Sequence, residues 1–170
     1  GMNIRQTPHR FAETTNLENL KCAKNIRIEK SLLGIGTLGG GNHFIELDKS
    51  DSGYYLIIHS GSRHLGVEVE RYYHEIAYER TKDDVPYEFA YLEGELFEDY
   101  LFDMKIVQNF ASLNRQAMVA DIIKGMKFTE IESFSTIHNY IDTDNKILRK
   151  GAISSRDGEK IIIPLNMRDG

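Results

Sequence analysis

The chain is short of several things. It has one cysteine, Cys22, so no internal disulfide can form. That absence predicts a reducing, cytoplasmic compartment. No apolar run approaches the roughly 20 residues a membrane-spanning helix needs. The opening Met2-Asn3-Ile4-Arg5 lacks the apolar centre of a secretory signal. There is no surplus of positive charge, since the net charge is −5. A polyanion is therefore not drawn by the global field, and a nucleic acid would need a local basic patch. Arg63, Arg149, Lys150, Arg156 and Arg168, all beside glycine-containing turns, could supply one. No internal repeat and no low-complexity segment is present. The glycine-dense stretch 34–41 lacks the Gly-Lys-Ser/Thr ending of a nucleoside-triphosphate-binding Walker loop.

What is present is ordinary in bulk. With 170 residues, 41% hydrophobic and 28% charged, the chain is long and apolar enough for one globular core. Residues 1–33 are polar and mixed and read as a loop-rich segment; Leu17–Lys24 has only weak helical periodicity. Phe44–Leu47 and Tyr54–His59 read as strands on either side of a turn at Asp48–Gly53. The run Tyr54-Tyr55-Leu56-Ile57-Ile58 hardly alternates, which predicts burial on both faces. Val69, Tyr72, Tyr73, Ile76 and Ala77 form a stripe on a helix over Leu65–Thr81. A longer helix over Glu93–Lys127 carries Phe97, Leu101, Met104, Val107, Phe110, Asn114, Ala117 and Met118 at helical spacing, with Gly125 as its stop. Phe134–Ile141, Lys146–Arg149 and Ala152–Ser155 read as strands. Segregated strands, helices and strands favour an α+β class, with mixed or antiparallel sheets and two long helices.

Three glycines in Thr37-Leu38-Gly39-Gly40-Gly41-Asn42-His43-Phe44-Ile45-Glu46 allow left-handed backbone and close approach of a ligand. His43, His59 and His138 each sit where loop and strand-like sequence meet, a rigid place from which to aim an imidazole at a metal. Singly, each is equally an ordinary strand-end histidine. Asn42 could contact a phosphate or simply tolerate the unusual dihedrals after glycine. Glu46 could accept from a base edge or face solvent. His59-Ser60-Gly61-Ser62-Arg63 suits an oxyanion, and Ser62 could equally be a helix cap. His9, His64 and His74 read as structural, as does Cys22.

In order, Gly36–Glu46, His59–Arg63, His138-Asn139-Tyr140, Arg149–Ala152 and Ile163–Met167 resemble the RtcB family of RNA-splicing ligases, and Phe110–Arg115 is similar to that family's long helix. Leu165–Gly170 resembles its shorter bacterial branch. The resemblance implies an RtcB-like, incomplete fold in which 34–170 is the central portion of the catalytic domain. It implies ligation of RNA 2′,3′-cyclic phosphate or 3′-phosphate ends to 5′-hydroxyl ends, using GTP and manganese through a histidine–GMP intermediate. His43, His59 and His138 match metal ligands of a two-metal site. Asn42, His43, Phe44, Ile45, Glu46, His138, Asn139, Pro164, Leu165, Asn166 and Met167 match nucleotide contacts. Arg63 and Lys150 match contacts to an RNA phosphate.

The family's upstream Asp-Ile-Gly-Cys-Gly and downstream His-Gly-Ala-Gly-Arg motifs have no counterpart here. The expectation is therefore an internal fragment with no catalytic nucleophile, inactive alone, and able to self-associate through surfaces that truncation exposes. Two other readings are a non-catalytic interaction or regulatory protein derived from the fold, and a metal-dependent phosphoesterase.

Overall fold

The computed structural model describes residues 4–162. It divides into two compact units, the first running to Lys127 and the second starting at Phe128. Together they hold helices and two small antiparallel sheets, an α+β content.

In the first unit, three 3-10 turns (Arg10–Thr14, Leu17–Asn19, Ala23–Asn25) precede a short helix α1, Ile28–Leu32. Strands β1, Phe44–Ser50, and β2, Gly53–His59, form a hairpin. The register runs from Phe44 opposite His59 to Ser50 opposite Gly53, so the turn is only Asp51-Ser52. It is tighter than the expected six residues because the polar Asp48, Lys49 and Ser50 stay in the ladder.

Helix α2 spans Leu65–Thr81 and buries Leu65, Val69, Tyr73 and Ala77 along one stripe. Helix α3 spans Gly94–Met126. It passes Gly125 and ends instead at Lys127, whose φ of 55° lets its N–H reach the Ile123 carbonyl.

Helices α2 and α3 share their core with the N-terminal segment. Leu17, Leu20, Cys22, Ile26 and Ile35 pack in one cluster with Leu65, Val69, Tyr73, Phe110 and Ala117. The first 33 residues are thus turn-rich but fastened by apolar burial, the dominant favourable term in folding.

One buried carboxylate organises this core. Asp103, on α3, is 0% exposed and accepts from the Lys21 N–H at 2.7 Å, the Cys22 N–H at 3.1 Å and the Tyr73 hydroxyl at 2.8 Å. Three donors offset the loss of hydration that burying a charge entails.

The expectation of double-sided burial for Tyr54–Ile58 is corrected. Tyr54 and Tyr55 are 61% and 55% exposed. A two-stranded sheet offers a covering layer only where another element packs, and these two residues stand beside the hairpin's turn with no second layer over them among the described residues.

The second unit contains β3, Asn139–Asp142, and β4, Ile147–Lys150, paired from Asn139 opposite Lys150 to Asp142 opposite Ile147. Their turn is closed by Asp142, whose Oδ1 accepts from the Asn145 N–H at 3.1 Å. The expected strand from Phe134 shrinks to its last residues, and Ala152–Ser155 forms no strand. Among the described residues the β3–β4 ladder stops at Asn139 and Lys150, and backbone outside a ladder does not hold as a strand.

Candidate functional site

Two loops of the first unit meet at the open end of the β1–β2 hairpin. One enters β1 and carries Gly36, Gly39 and Gly41, with φ of 73°, 95° and 77°. The other leaves β2 through Ser60-Gly61-Ser62 and enters α2. Its Arg63 and His64 have φ of 54° and 83°. Two consecutive left-handed residues that are not glycine are rare, and such strain persists only where the surroundings enforce it. Ser62 stabilises the entry, its Oγ accepting from the Gly66 N–H at 3.0 Å.

Asn114, on α3 and 0% exposed, joins the two loops. Its Oδ1 accepts from the Gly36 N–H at 2.8 Å and the Thr37 N–H at 3.2 Å. Its Nδ2 shares its protons among the Gly61 carbonyl at 2.9 Å, Ser60 Oγ at 3.2 Å and the Thr37 carbonyl at 3.3 Å. Ser60 Oγ in turn donates to the Leu38 carbonyl at 2.7 Å. Arg115 adds a bond from Nη1 to the Ser60 carbonyl at 3.1 Å. From outside, Arg5 donates to the Ile35 and Gly36 carbonyls at 2.9 and 3.2 Å. Neither Asn114 nor Thr37 stands out in the sequence as a site residue. The one signal is a lone amide between Phe110 and Ala117 on an otherwise apolar stripe.

This scaffold brings several expected residues together. The rings of His43 and His59 lie 5.8 Å apart, centroid to centroid, and Phe44 packs edge-on against His59 at 5.2 Å. The His43 imidazole lies between two glycines. A Cβ on Gly39 would stand 2.6 Å from His43 Nδ1 and collide with Arg63 Nη1; one on Gly61 would stand 3.7 Å from His43 Nε2. The missing side chain at Gly39 therefore lets an imidazole and a guanidinium both pack against its backbone. Glu46 faces the same side of β1 as Phe44, and its Oε2 is buried without a hydrogen-bond partner among the described residues. Asn42 and Ile45 are exposed beside them.

The electrostatics of Arg63 are asymmetric. Burial pulls its guanidinium below the ordinary value. Among the described residues no carboxylate pairs with it. A partly dehydrated cation without a counter-charge favours a bound anion.

His138, Asn139 and Lys150 belong to the second unit. The His138 carbonyl accepts from the Ala152 N–H at 3.1 Å, and Asn139 Oδ1 accepts from the Gly151 N–H at 2.8 Å. Asn139 and Lys150 face each other across the β3–β4 ladder. Pro164, Leu165, Asn166 and Met167 lie outside the described residues. Within each unit taken by itself, the described residues bring no three His, Cys, Asp or Glu side chains together as a metal-ion cluster. The His43–His59 pair nonetheless has the right donor chemistry for a divalent transition metal.

The remaining histidines have local roles. His9 Nδ1 caps the first turn by accepting from the Phe11 N–H at 3.2 Å, and His74 Nε2 bonds the Tyr87 carbonyl at 2.9 Å. Cys22 is fully buried, and burial together with Asp103 pushes its thiol up, as a structural cysteine requires. No described helix is long and apolar enough to cross a membrane.

Comparison with known proteins supplies the context. Residues 3–170 match the family model described as tRNA-splicing ligase RtcB. The chain is 37% identical over 158 residues to the RNA-splicing ligase RtcB of Escherichia coli (strain K12), covering 78% of this chain and 38% of that protein. It is 34% identical over 101 residues to the tRNA-splicing ligase RtcB of Nanoarchaeum equitans (strain Kin4-M), covering 48% of this chain and 21% of that protein. The chain thus spans well under half the length of these relatives. No solved structure matched. With a family match over nearly its whole length, the chain belongs to the RtcB family.

Proposed function

We propose that this chain is the RNA-end- and nucleotide-binding portion of an RtcB-type ligase, one that joins RNA 2′,3′-cyclic phosphate or 3′-phosphate ends to 5′-hydroxyl ends. The observation that carries this reading is the approach of His43 Nδ1 and Arg63 Nη1 to the same glycine, Gly39, with His59 beside His43. An imidazole pair next to an uncompensated guanidinium suits a phosphoryl group shared between a metal and an arginine.

His43, His59 and His138 would hold manganese, which when bound would polarise phosphoryl oxygens. Asn42, His43, Phe44, Ile45 and Glu46 would contact GTP, with Glu46 accepting from the edge of the base. His138, Asn139 and the segment Pro164, Leu165, Asn166 and Met167 would add further nucleotide contacts. Arg63, and more weakly Lys150, would hold the phosphate of the RNA end. The 170 residues contain no match to the family's nucleophilic histidine motif, so this chain by itself binds and orients but does not take up GMP. The compartment consistent with a buried, reduced Cys22 is the cytoplasm.

Manganese paramagnetic resonance tests the reading directly. Addition of the chain should deplete the signal of hexaaquo-manganese, and the His43→Ala/His59→Ala double variant should not deplete it. Equal depletion by both proteins would reject the histidine site. Incubation with radiolabelled GTP should leave no stable protein–GMP adduct.

A second reading, self-association through apolar surface, is supported by Phe89, Leu148 and Ile131, all more than 70% exposed. Light scattering after size exclusion would detect a defined dimer, and a strictly monomeric peak would remove this reading.

A further inference from the structure

Arg63 reaches the site from a left-handed backbone, and among the described residues its side chain is gripped at one edge only. Its Nε donates to Thr37 Oγ1 at 2.8 Å. The Thr37 hydroxyl has committed its own proton to the Gly34 carbonyl at 2.5 Å, so it can act toward Arg63 only as an acceptor. Thr37 cannot drift, because it is 4% exposed. Its N–H and carbonyl are both bonded to Asn114, and its N–H also to the Gly34 carbonyl. At the other edge of the guanidinium, Nη1 points at the one residue whose missing side chain leaves room, Gly39.

From this geometry we propose that Thr37 is the positioning residue for Arg63. Its oriented hydroxyl occupies the Nε edge, so the Nη edge is presented over Gly39 to a terminal phosphate monoester of an RNA strand. The inference rests on the phosphate-binding reading of Arg63 and adds a residue that reading does not name. It also sets an orientation. A guanidinium held at Nε meets a phosphate end-on through its two terminal nitrogens, in a fork that a freely rotating arginine would adopt only part of the time. Without the hydroxyl the charge would remain and its aim would be lost.

The test uses the whole chain with two short RNAs of one sequence, one ending in a 3′-phosphate and one in a 3′-hydroxyl, and reads affinity by fluorescence anisotropy. The ratio of the two affinities isolates the terminal phosphate from general electrostatic attraction. Thr37→Val, nearly isosteric but without an acceptor, should reduce that ratio on the order of tenfold, the weight of one well-placed charge-assisted bond. Thr37→Ser, which restores the hydroxyl, should return most of it.

Thr81→Val is the control for simple loss of a buried hydroxyl. Thr81 Oγ1 bonds only the Ala77 carbonyl of its own helix, at 3.0 Å, and sits about 24 Å along α2 from the Arg63 end. It should lower the melting temperature without moving the ratio. A Thr37→Val protein that keeps the wild-type ratio while Arg63→Ala loses it overturns the role of Thr37 and leaves the reading of Arg63 standing. An equal fall in Thr81→Val, or no rescue by Thr37→Ser, also overturns it. A wild-type chain that does not prefer the 3′-phosphate overturns the reading of Arg63, and the inference with it.

Discussion

The Tyr73 hydroxyl donates to Asp103 Oδ2 at 2.8 Å, and neither side chain is more than 2% exposed. This bond ties α2 to α3 inside the core, and the same carboxylate also holds the backbone of Lys21 and Cys22. It lies far from any chemistry, yet the helix that carries it also carries Asn114.

Removing one partner should be costly. Tyr73→Phe should lower unfolding free energy by about 1.5–3 kcal/mol, the range for a hydrogen bond to a charged group. Asp103→Ala should cost more, about 3–5 kcal/mol, because it strands three donors at once, two of them buried. Urea melts followed by circular dichroism would measure both; an Asp103→Ala midpoint equal to that of the wild type would contradict the account.

The alkaline limb of stability should depend on Cys22 and Tyr73. Burial and the nearby Asp103 push both groups above their ordinary values of 9.0 and 10.0. The folded chain therefore holds these protons longer than the unfolded chain. The stabilisation is complete below pH 9.0, declines above it as the unfolded thiol and then the phenol ionise, and is lost through the raised folded values. Cys22→Ser should flatten the first part of that decline. Unfolding midpoints collected from pH 7 to 11 would show whether it does.

Gly39→Ala should act on two levels. A φ of 95° is unfavourable for alanine, and the new methyl collides with Arg63 Nη1. The backbone penalty should be about 1–2 kcal/mol. The displaced guanidinium should also lose its preference for a 3′-phosphate RNA end, so a variant that melts lower but keeps that preference would show that Arg63 does not work over this glycine.

Lys127→Gly should stabilise the first unit by up to about 1 kcal/mol. Lys127 ends α3 in the left-handed region with φ of 55°, the place where glycine terminates helices at least cost. Thermal melts of the pair would reveal a fall in place of the expected rise if the Lys127 side chain matters more than its backbone.

Much of the fold is legible in local pattern. The apolar stripe from Val69 to Ala77 marks a helix over Leu65–Thr81, the bounds α2 has, and the glycine-to-His43 transition marks the entry to β1. Two things escape such a reading. One is whatever depends on a neighbour: Tyr54 and Tyr55 look buried because nothing in their own run says that no layer covers them. The other is long-range polar satisfaction. His43, His59 and Arg63 can be singled out one at a time. That Thr37 bonds Arg63, and that Asn114 holds Thr37, cannot, because those bonds cross 26 and 77 residues of chain.

The Asn114 amide has a consequence for when the site comes into being. Its partners lie 77 and 53 residues earlier in the chain, so its donors and acceptors are met only after the helix, the glycine loop and the turn after β2 have all arrived. Contacts of such sequence separation form late and together, since loop closure opposes each of them until the others reward it. The loops that carry His43 and Arg63 are therefore expected to come together in a late, cooperative step of folding. A partly folded chain would not hold the two side chains together over Gly39, so their juxtaposition would itself report that this core is complete.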